Sequence, residues 1–180
     1  MDMKKNSVQF LARTALLLAL CVVVQLVITG QWVKGPLVNV VLLVAAMSGG
    51  PVCGLIVAVL NPLLVFLIAP PAIMLACPPI MVSVMLGNSV LVLVAWLLRE
   101  KWMGLVGLVA AAVLKAAAMA AAISWVIIPV FGGALNEKQV AMATKMFGIT
   151  QLYTAAIGCA VFFAVWQVLK KVPGIGEKKA

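Results

Sequence analysis

Residues 107 to 122 read "GLVAAAVLKAAAMAAA", an unbroken run of small and apolar side chains except for Lys115. About 20 such residues in a helix are enough to cross the hydrocarbon core of a membrane. Of the 180 residues, 66% are hydrophobic and only 9% are charged, so too little polar surface is available to cover a water-soluble domain. No run shows the alternating pattern of a membrane β-barrel. The sequence therefore predicts an all-α integral membrane protein.

Breaks at charged, glycine and proline residues divide the apolar sequence into six predicted membrane-spanning helices. The spans are residues 9–29, 36–48, 51–69, 79–98, 103–130 and 148–171, within one membrane-embedded domain covering residues 1–180. The second is short for a full crossing. A basic segment, "MDMKKNSVQF", precedes the first span, but no small-residue cleavage site ends that span cleanly, so we interpret it as a helix and not a signal peptide.

The positive charges predict the orientation of this six-helix bundle. One side of it would carry Lys4, Lys5, Arg13, Arg99, Lys101, Lys170, Lys171, Lys178 and Lys179, and the other side Lys34, Lys138 and Lys145. Because cytoplasmic loops carry the excess of Lys and Arg, both termini are predicted to be cytoplasmic. Topology thus accounts for the net charge of +9, and no nucleic-acid partner is needed to explain it.

The three outer loops are more elaborate than the inner ones. They read "ITGQWVKGPLVN", "IAPPAIMLACPP" and "FGGALNEKQVAMATKMFG". Prolines stiffen the second loop, which is also apolar, so we expect it to fold back over the bundle as a lid. The third is long enough for a short amphipathic helix. The outer face is therefore the expected face for a ligand.

Lys115 lies deep in the fifth span. At about 1.5 Å per residue it is roughly 18 Å from Met103 and roughly 22 Å from Val130, too far for its side chain to reach the interface. Ionisable groups at such depth usually face the bundle interior or a cavity. All the acidic residues lie outside the predicted spans: Asp2, Glu100, Glu137 and Glu177.

Two interpretations of Lys115 stay open. It is either a structural lysine hydrogen-bonded to neutral groups such as Asn39, Asn61 or Asn88, or an ammonium whose counter-charge arrives with a ligand. The polar residues that would accompany it in a site are Trp32, Asn39, Asn61, Asn88, Gln151 and Tyr153. Each alone is typical of a helix–helix hydrogen bond, but together they are typical of an apolar pocket with a few directing groups. The candidate apolar walls, which are otherwise ordinary core or lipid contacts, are Phe66, Met74, Met81, Met85, Met119 and Trp125.

Catalytic and metal-binding residues are not predicted. The chain has no histidine, and its four cysteines, Cys21, Cys53, Cys77 and Cys159, are scattered without CxxC spacing. We interpret the cysteines as small buried apolar residues. No cofactor is predicted, and the chain is not expected to be an enzyme.

The first span carries Ala12, Ala15 and Ala19 at helical spacings of three and four. These alanines share one face and allow close approach of another helix, either within the bundle or in a partner protein.

In order and length, the segments resemble the substrate-binding S components of energy-coupling factor (ECF) vitamin transporters. The likeness covers almost the whole chain and is carried by "ARTALLLAL", "GPLVN", the "GGPVCG" turn and "MLGN". It implies capture of a vitamin at the outer face of a prokaryotic plasma membrane, together with a transmembrane scaffold (T) subunit and two ABC-type ATPases. Ala15 and Ala19 would contact the scaffold, and the first and third outer loops with spans four to six would bind the ligand. The absence of a Walker motif in this sequence agrees with ATP hydrolysis by the partners.

The substrate is inferred from Lys115. A cationic vitamin of the thiamin type would favour a buried acid, which the predicted spans lack, whereas a lone lysine suits a small carboxylate with an apolar body. Lipoate fits this description best, with biotin, pantothenate or another apolar acid as alternatives. We hypothesise that Lys115 pairs with the carboxylate while Asn39, Asn88 and Tyr153 orient the ligand.

Other classes of function are less consistent with the sequence. A stand-alone secondary transporter usually needs a titrating acid or histidine within the membrane, and this chain has neither in its spans. A membrane enzyme would depend on Ser83, Ser89 or Ser124 near Lys115. A purely structural protein would not need the buried lysine or the stiff loops.

Overall fold

The computed structural model describes residues 2–99 and 104–171, and these residues are almost entirely helical. The α-helices are α1 (Asp2–Val27), α2 (Gln31–Gly49), α3 (Pro51–Ile68), α4 (Ala72–Ala76), α5 (Ile80–Leu98), α6 (Leu105–Ala121), α7 (Ile128–Phe131), α8 (Glu137–Phe147) and α9 (Ile149–Leu169). A π-helical segment, Ala122–Ile127, joins α6 to α7, and a 3-10 turn, Gly132–Ala134, follows α7. No strand occurs in these two ranges, which confirms the all-α prediction.

Six helical stretches are long and apolar enough to cross a membrane, so the predicted number of spans is confirmed. They are Ser7–Val27, Gln31–Gly49, Pro51–Ile68, Ile80–Leu98, Leu105–Phe131 and Glu137–Leu169. The second contains 19 residues and begins before Pro36, where the sequence interpretation placed its start. Pro36 is the sixth residue of α2, and its missing N–H removes the bond to the carbonyl of Trp32 in the first turn, close to the helix end. Of the basic residues used for orientation, Lys101, Lys178 and Lys179 lie outside the described residues.

Five of the spanning helices form a closed ring. In order around the ring, α2 packs on α3, α3 on α5, α5 on α6, α6 on α9, and α9 returns to α2, while α1 packs outside against α2 and α3. The tight turn between α2 and α3 is Gly50, whose φ of 89° is a left-handed conformation that glycine adopts readily. The side chains at the centre of the ring are therefore shielded by protein on every side.

Two apolar clusters fill the ring at different depths. The first is built around Leu42, Leu43, Val57, Leu91, Ala111 and Phe162. The second, which we call the upper cluster, contains Ile73, Met74, Cys77, Ile80, Met119, Ile123, Ile127, Ala143 and Phe147. On α6 Lys115 lies between members of the two clusters, and on α5 Asn88 does the same. A thin polar layer thus separates the clusters.

Two short helices cover the end of the bundle that holds the upper cluster. The loop "IAPPAIMLACPP" forms α4, which buries Ile73 and Met74. The last long loop contains α8, so the short helix predicted there is confirmed. Helix α8 buries Ala143 and Phe147 and begins with a capping box, in which Gln139 N donates to Asn136 Oδ1 (2.9 Å) and Asn136 N donates to Gln139 Oε1 (3.0 Å).

The long helical stretch from α6 to α7 changes from α-helix to π-helix between the polar layer and the α4/α8 end. Pro129 follows the π-helical segment and has no N–H to donate to the carbonyl of Trp125, four residues earlier. The lost hydrogen bond explains why the regular ladder is interrupted at this depth. π-Helical turns of this kind are frequent next to functional sites.

Candidate functional site

Lys115 is the centre of the polar layer. Its side chain is only 3% exposed, and its Nζ donates hydrogen bonds to Asn39 Oδ1 (2.5 Å) and Asn88 Oδ1 (2.8 Å). The three residues belong to three helices, α6, α2 and α5. Within the described residues, two of the three N–H groups of the ammonium are therefore used, and one is left for another acceptor.

Glycines bring the helix backbones close enough for these contacts. A Cβ at Gly87, the residue before Asn88, would lie 2.2 Å from Met119 Cγ, so only glycine lets α5 approach α6 this closely. On the opposite side a Cβ at Gly158 would lie 2.7 Å from Asn39 Cβ. Helix α9 therefore presses on α2 at the level of Asn39 and supports its position next to the lysine.

The charge of Lys115 is balanced by dipoles and not by an acid. Among the side chains that the structure describes, Glu137 is the one carboxylate, and it begins α8 outside the ring. Two amide oxygens solvate an ammonium less well than water or a carboxylate, so the buried charge is only partly compensated. The contacts with Asn39 and Asn88 are those expected of a structural lysine held by neutral groups, and the incomplete compensation of the charge is what the ligand interpretation requires.

Three other buried polar atoms of the layer are unpaired. Asn39 Nδ2, Asn61 Nδ2 and Asn61 Oδ1 have no hydrogen-bond partner within the described part of the chain. More than nine in ten buried polar groups in native proteins are paired, so each of these atoms calls for an explanation. Asn39 Nδ2 is attached to the same carbon as the oxygen that holds Lys115, which places an unused donor next to the ammonium.

The remaining predicted site residues lie closer to the α4/α8 end. Gln151 is buried in the first turn of α9. Trp32 and Tyr153 are 61% and 53% exposed and form an aromatic pair, with ring centroids 6.3 Å apart. Trp32 precedes Asn39 by about 10 Å along α2, so the aromatic pair lies well away from Lys115, toward the α4/α8 end. The structure brings Asn39 and Asn88 together with Lys115 and places Trp32 and Tyr153 in a separate contact.

The upper cluster forms the apolar side of the site. Met119 is one turn from Lys115 along α6, and Ile123 and Ile127 continue the same face. The sequence shows this spacing of four residues, but Ile123 and Ile127 were not among the candidate wall residues. Met74 and Met119 from those candidates are in the cluster, whereas Trp125 is 80% exposed and points away from it.

Comparison with known protein families identifies the family of this chain. A family model described as "ECF transporter, substrate-specific component" matches residues 9–169. The chain belongs to this family. No individually curated protein and no solved structure matches it. The protein is thus a multi-pass membrane protein and a transporter subunit, not an enzyme, and membership implies that it works with an ECF module.

Helix α1 of this S component presents small side chains to its surroundings. Ala12, Ala15 and Ala19 are all exposed, so they do not pack within the bundle. The rotation of α1 is fixed in part by Arg13, whose guanidinium donates to the carbonyl of Ser48 near the end of α2. The alanine face therefore remains available outside the ring.

A concave feature of the S component lies on its outside, away from Lys115. A groove of about 630 Å³ runs along α5 and the π-helical segment. Its lining is almost wholly apolar and includes Pro78, Val82, Leu86, Val126 and Phe131, most of which are exposed. Lys115 does not line it. A groove of this composition on the outside of a membrane protein is compatible with lipid, and we assign it no role in capture.

Proposed function

We propose that this S component captures a small carboxylic acid with an apolar body. The observation that carries the proposal is a buried ammonium that is held by two neutral amides and has one N–H left over. Lipoate is the vitamin with the most apolar body in this class, and biotin and pantothenate are the alternatives.

The atoms around Lys115 match the two oxygens of a carboxylate. One oxygen would accept the remaining N–H of Lys115 Nζ, and the other would accept from Asn39 Nδ2, the unused donor beside it. Hydrogen bonds between charged partners are roughly twice as strong as neutral ones. The ligand would also neutralise a charge that the protein buries without an acid. Asn88 would act as a positioning residue by keeping Nζ in place.

The apolar body of the ligand would lie toward the upper cluster. Met119 and its neighbours there are buried apolar side chains that follow the lysine along α6. Access from the α4/α8 end would require α8 or α4 to move, because both contribute side chains to this cluster. Trp32, Tyr153 and Gln151 would then contact the ligand on its way to Lys115.

The partners follow from the family and from the exposed face of α1. In the proposed assembly Ala12, Ala15 and Ala19 contact a transmembrane scaffold subunit, which carries two ABC-type ATPases. Arg13, Arg99, Lys170 and Lys171 lie toward the end of the bundle opposite α4 and α8, which supports cytoplasmic termini and ligand capture from outside a prokaryotic plasma membrane.

Mass spectrometry of the small molecules that co-purify with the detergent-solubilised protein tests this function. We expect an apolar carboxylic acid at close to one molecule per protein. A neutral or cationic ligand would contradict the proposal and leave Lys115 as a structural residue.

A further inference from the structure

Asn61 is the one residue of the polar layer whose whole amide is unused within the described chain. It is 0% exposed in the middle of α3, and neither Oδ1 nor Nδ2 has a partner there. Burial of an unpaired amide is unfavourable, and an apolar side chain of similar size would fill the same space without that cost. An unused donor and an unused acceptor on one buried side chain indicate a group to be bound.

The packing of Gly54 shows that Asn61 belongs to the same layer as the Lys115 site. A Cβ at Gly54 would lie 2.8 Å from Val92 Cγ1 and 3.1 Å from Ala46 Cα, which fixes the register of α3 against α5 and α2. Asn61 is about 10 Å further along α3, close to two full turns, and so shares the face of Gly54.

Helices α2 and α5 run antiparallel to α3. The distance from Gly54 to Asn61 along α3 therefore corresponds to the same distance toward the N-termini of α2 and α5. Seven residues before Ala46 is Asn39, and four residues before Val92 is Asn88. Asn39 on α2 and Asn88 on α5, which bind Lys115, therefore lie within about one helical turn of the depth of Asn61.

The hydrogen-bond ladder of α3 also lacks one donor at this turn, although the helix is continuous. Pro62 lies inside the helix and has no N–H, so it cannot donate to the carbonyl of Ala58 as an α-helix requires. Ala58 is buried on the same face as Asn61, three residues away. The backbone acceptor of Ala58 and the amide of Asn61 thus lie within one turn of each other on a buried face of α3.

We propose that Asn61 is a specificity-determining residue that hydrogen-bonds an amide or ureido group of the captured acid. An amide side chain is complementary to such a group because each has one acceptor and at least one donor. The inference rests on the proposed function, in which Lys115 holds the carboxylate. It changes the order of the acids named above and favours biotin or pantothenate over lipoate, because biotin carries a ureido ring and pantothenate an amide, whereas lipoate has neither.

The test measures the binding of two acids, biotin and lipoate, by isothermal titration calorimetry with the purified full chain. The variants are Asn61→Leu, which keeps the branching of the side chain but replaces the amide by two larger methyl groups, and Lys115→Met, which tests the proposed function separately. Asn61→Ala serves as a second variant if leucine prevents folding. The thermal midpoint of each ligand-free protein is measured in parallel.

We expect the wild type to bind biotin more tightly than lipoate. Asn61→Leu should weaken biotin binding by about tenfold to a hundredfold and change lipoate binding by less than about threefold. The ligand-free thermal midpoint of each variant checks that the protein being compared is folded. Lys115→Met should weaken both acids.

Two results would overturn the role of Asn61: equal effects of its replacement on both acids, or no binding of biotin by the wild type. Equal effects would assign the amide to a structural hydrogen bond, such as one to a buried water. If Lys115→Met instead leaves both affinities unchanged, it is the proposed function that fails, whatever Asn61→Leu does.

Discussion

Replacing Lys115 by methionine separates its ligand-binding role from a structural one. Methionine keeps most of the length and apolar stem of lysine but removes the charge and all three donors. Truncating one partner of a buried, hydrogen-bonded charge pair costs about 2–5 kcal/mol, which corresponds to a roughly 30-fold to 5,000-fold increase in Kd. Asn39 Nδ2 remains in the variant and can still hold one carboxylate oxygen, so we expect weakened binding and not its complete loss.

The ligand-free protein should respond much less to the same change. Without the ammonium, the Oδ1 atoms of Asn39 and Asn88 lose their donor, at a cost of about 1–3 kcal/mol each. This is offset by removal of a buried charge with no acid beside it, whose desolvation penalty is several kcal/mol. The two effects oppose each other, so the thermal midpoint should shift by only a few degrees.

The assay is isothermal titration calorimetry, in which an apolar carboxylic acid is titrated into the detergent-solubilised protein. Lys138→Met is the matched control, because it removes one positive charge from an exposed position on α8. A folded Lys115→Met protein that binds the acid within about threefold of wild type would refute the ion pair. The lysine would then be a structural link between α2, α5 and α6.

Three further changes test packing, partner binding and the covering helix. Gly87→Ala places a Cβ 2.2 Å from a side-chain atom of α6, so it should lower stability by about 1–3 kcal/mol in thermal denaturation, whereas Gly30→Ala, with open space around it, should not. Ala15→Trp should abolish co-purification of the scaffold subunit without changing ligand affinity, and the control Val113→Trp, at another exposed position, should retain the complex. Asn136→Ala removes the cap of α8 and should cost that helix about 1 kcal/mol, seen as faster amide exchange confined to its first turns. Unchanged exchange there would show that packing alone holds α8.

The helices could be predicted because a membrane allows so few alternatives. Every backbone polar group must be paired within the hydrocarbon core, so a long apolar run such as Gly107–Ala122 has to be helical. The depth of Lys115 followed from the constant rise of a helix. The start of α2 did not follow, because Pro36 is typical of a first helical turn and yet lies inside this helix.

The partners of the lysine were only partly predictable. Asn39, Asn61 and Asn88 were all candidates at the sequence level, and the register between helices decides which two of them reach Nζ. The α2 and α6 residues that meet are far apart in the chain, and local sequence carries no information on that register. In addition, a uniformly apolar helix does not reveal which face is buried, so the exposed positions of Trp32 and Tyr153 had no sequence signal.

The order of the layers along the bundle defines which molecules such a site would accept. A ligand that approaches from the α4/α8 end must pass the upper cluster, and a strongly hydrated molecule loses its water there without compensation. A wholly apolar molecule passes but leaves the charge of Lys115 as poorly compensated as before. Only a molecule with an apolar body and an anionic end satisfies both levels, because its charge is paired at the same depth at which water is excluded. The proposed selectivity thus depends on the apolar cluster as much as on the lysine beneath it.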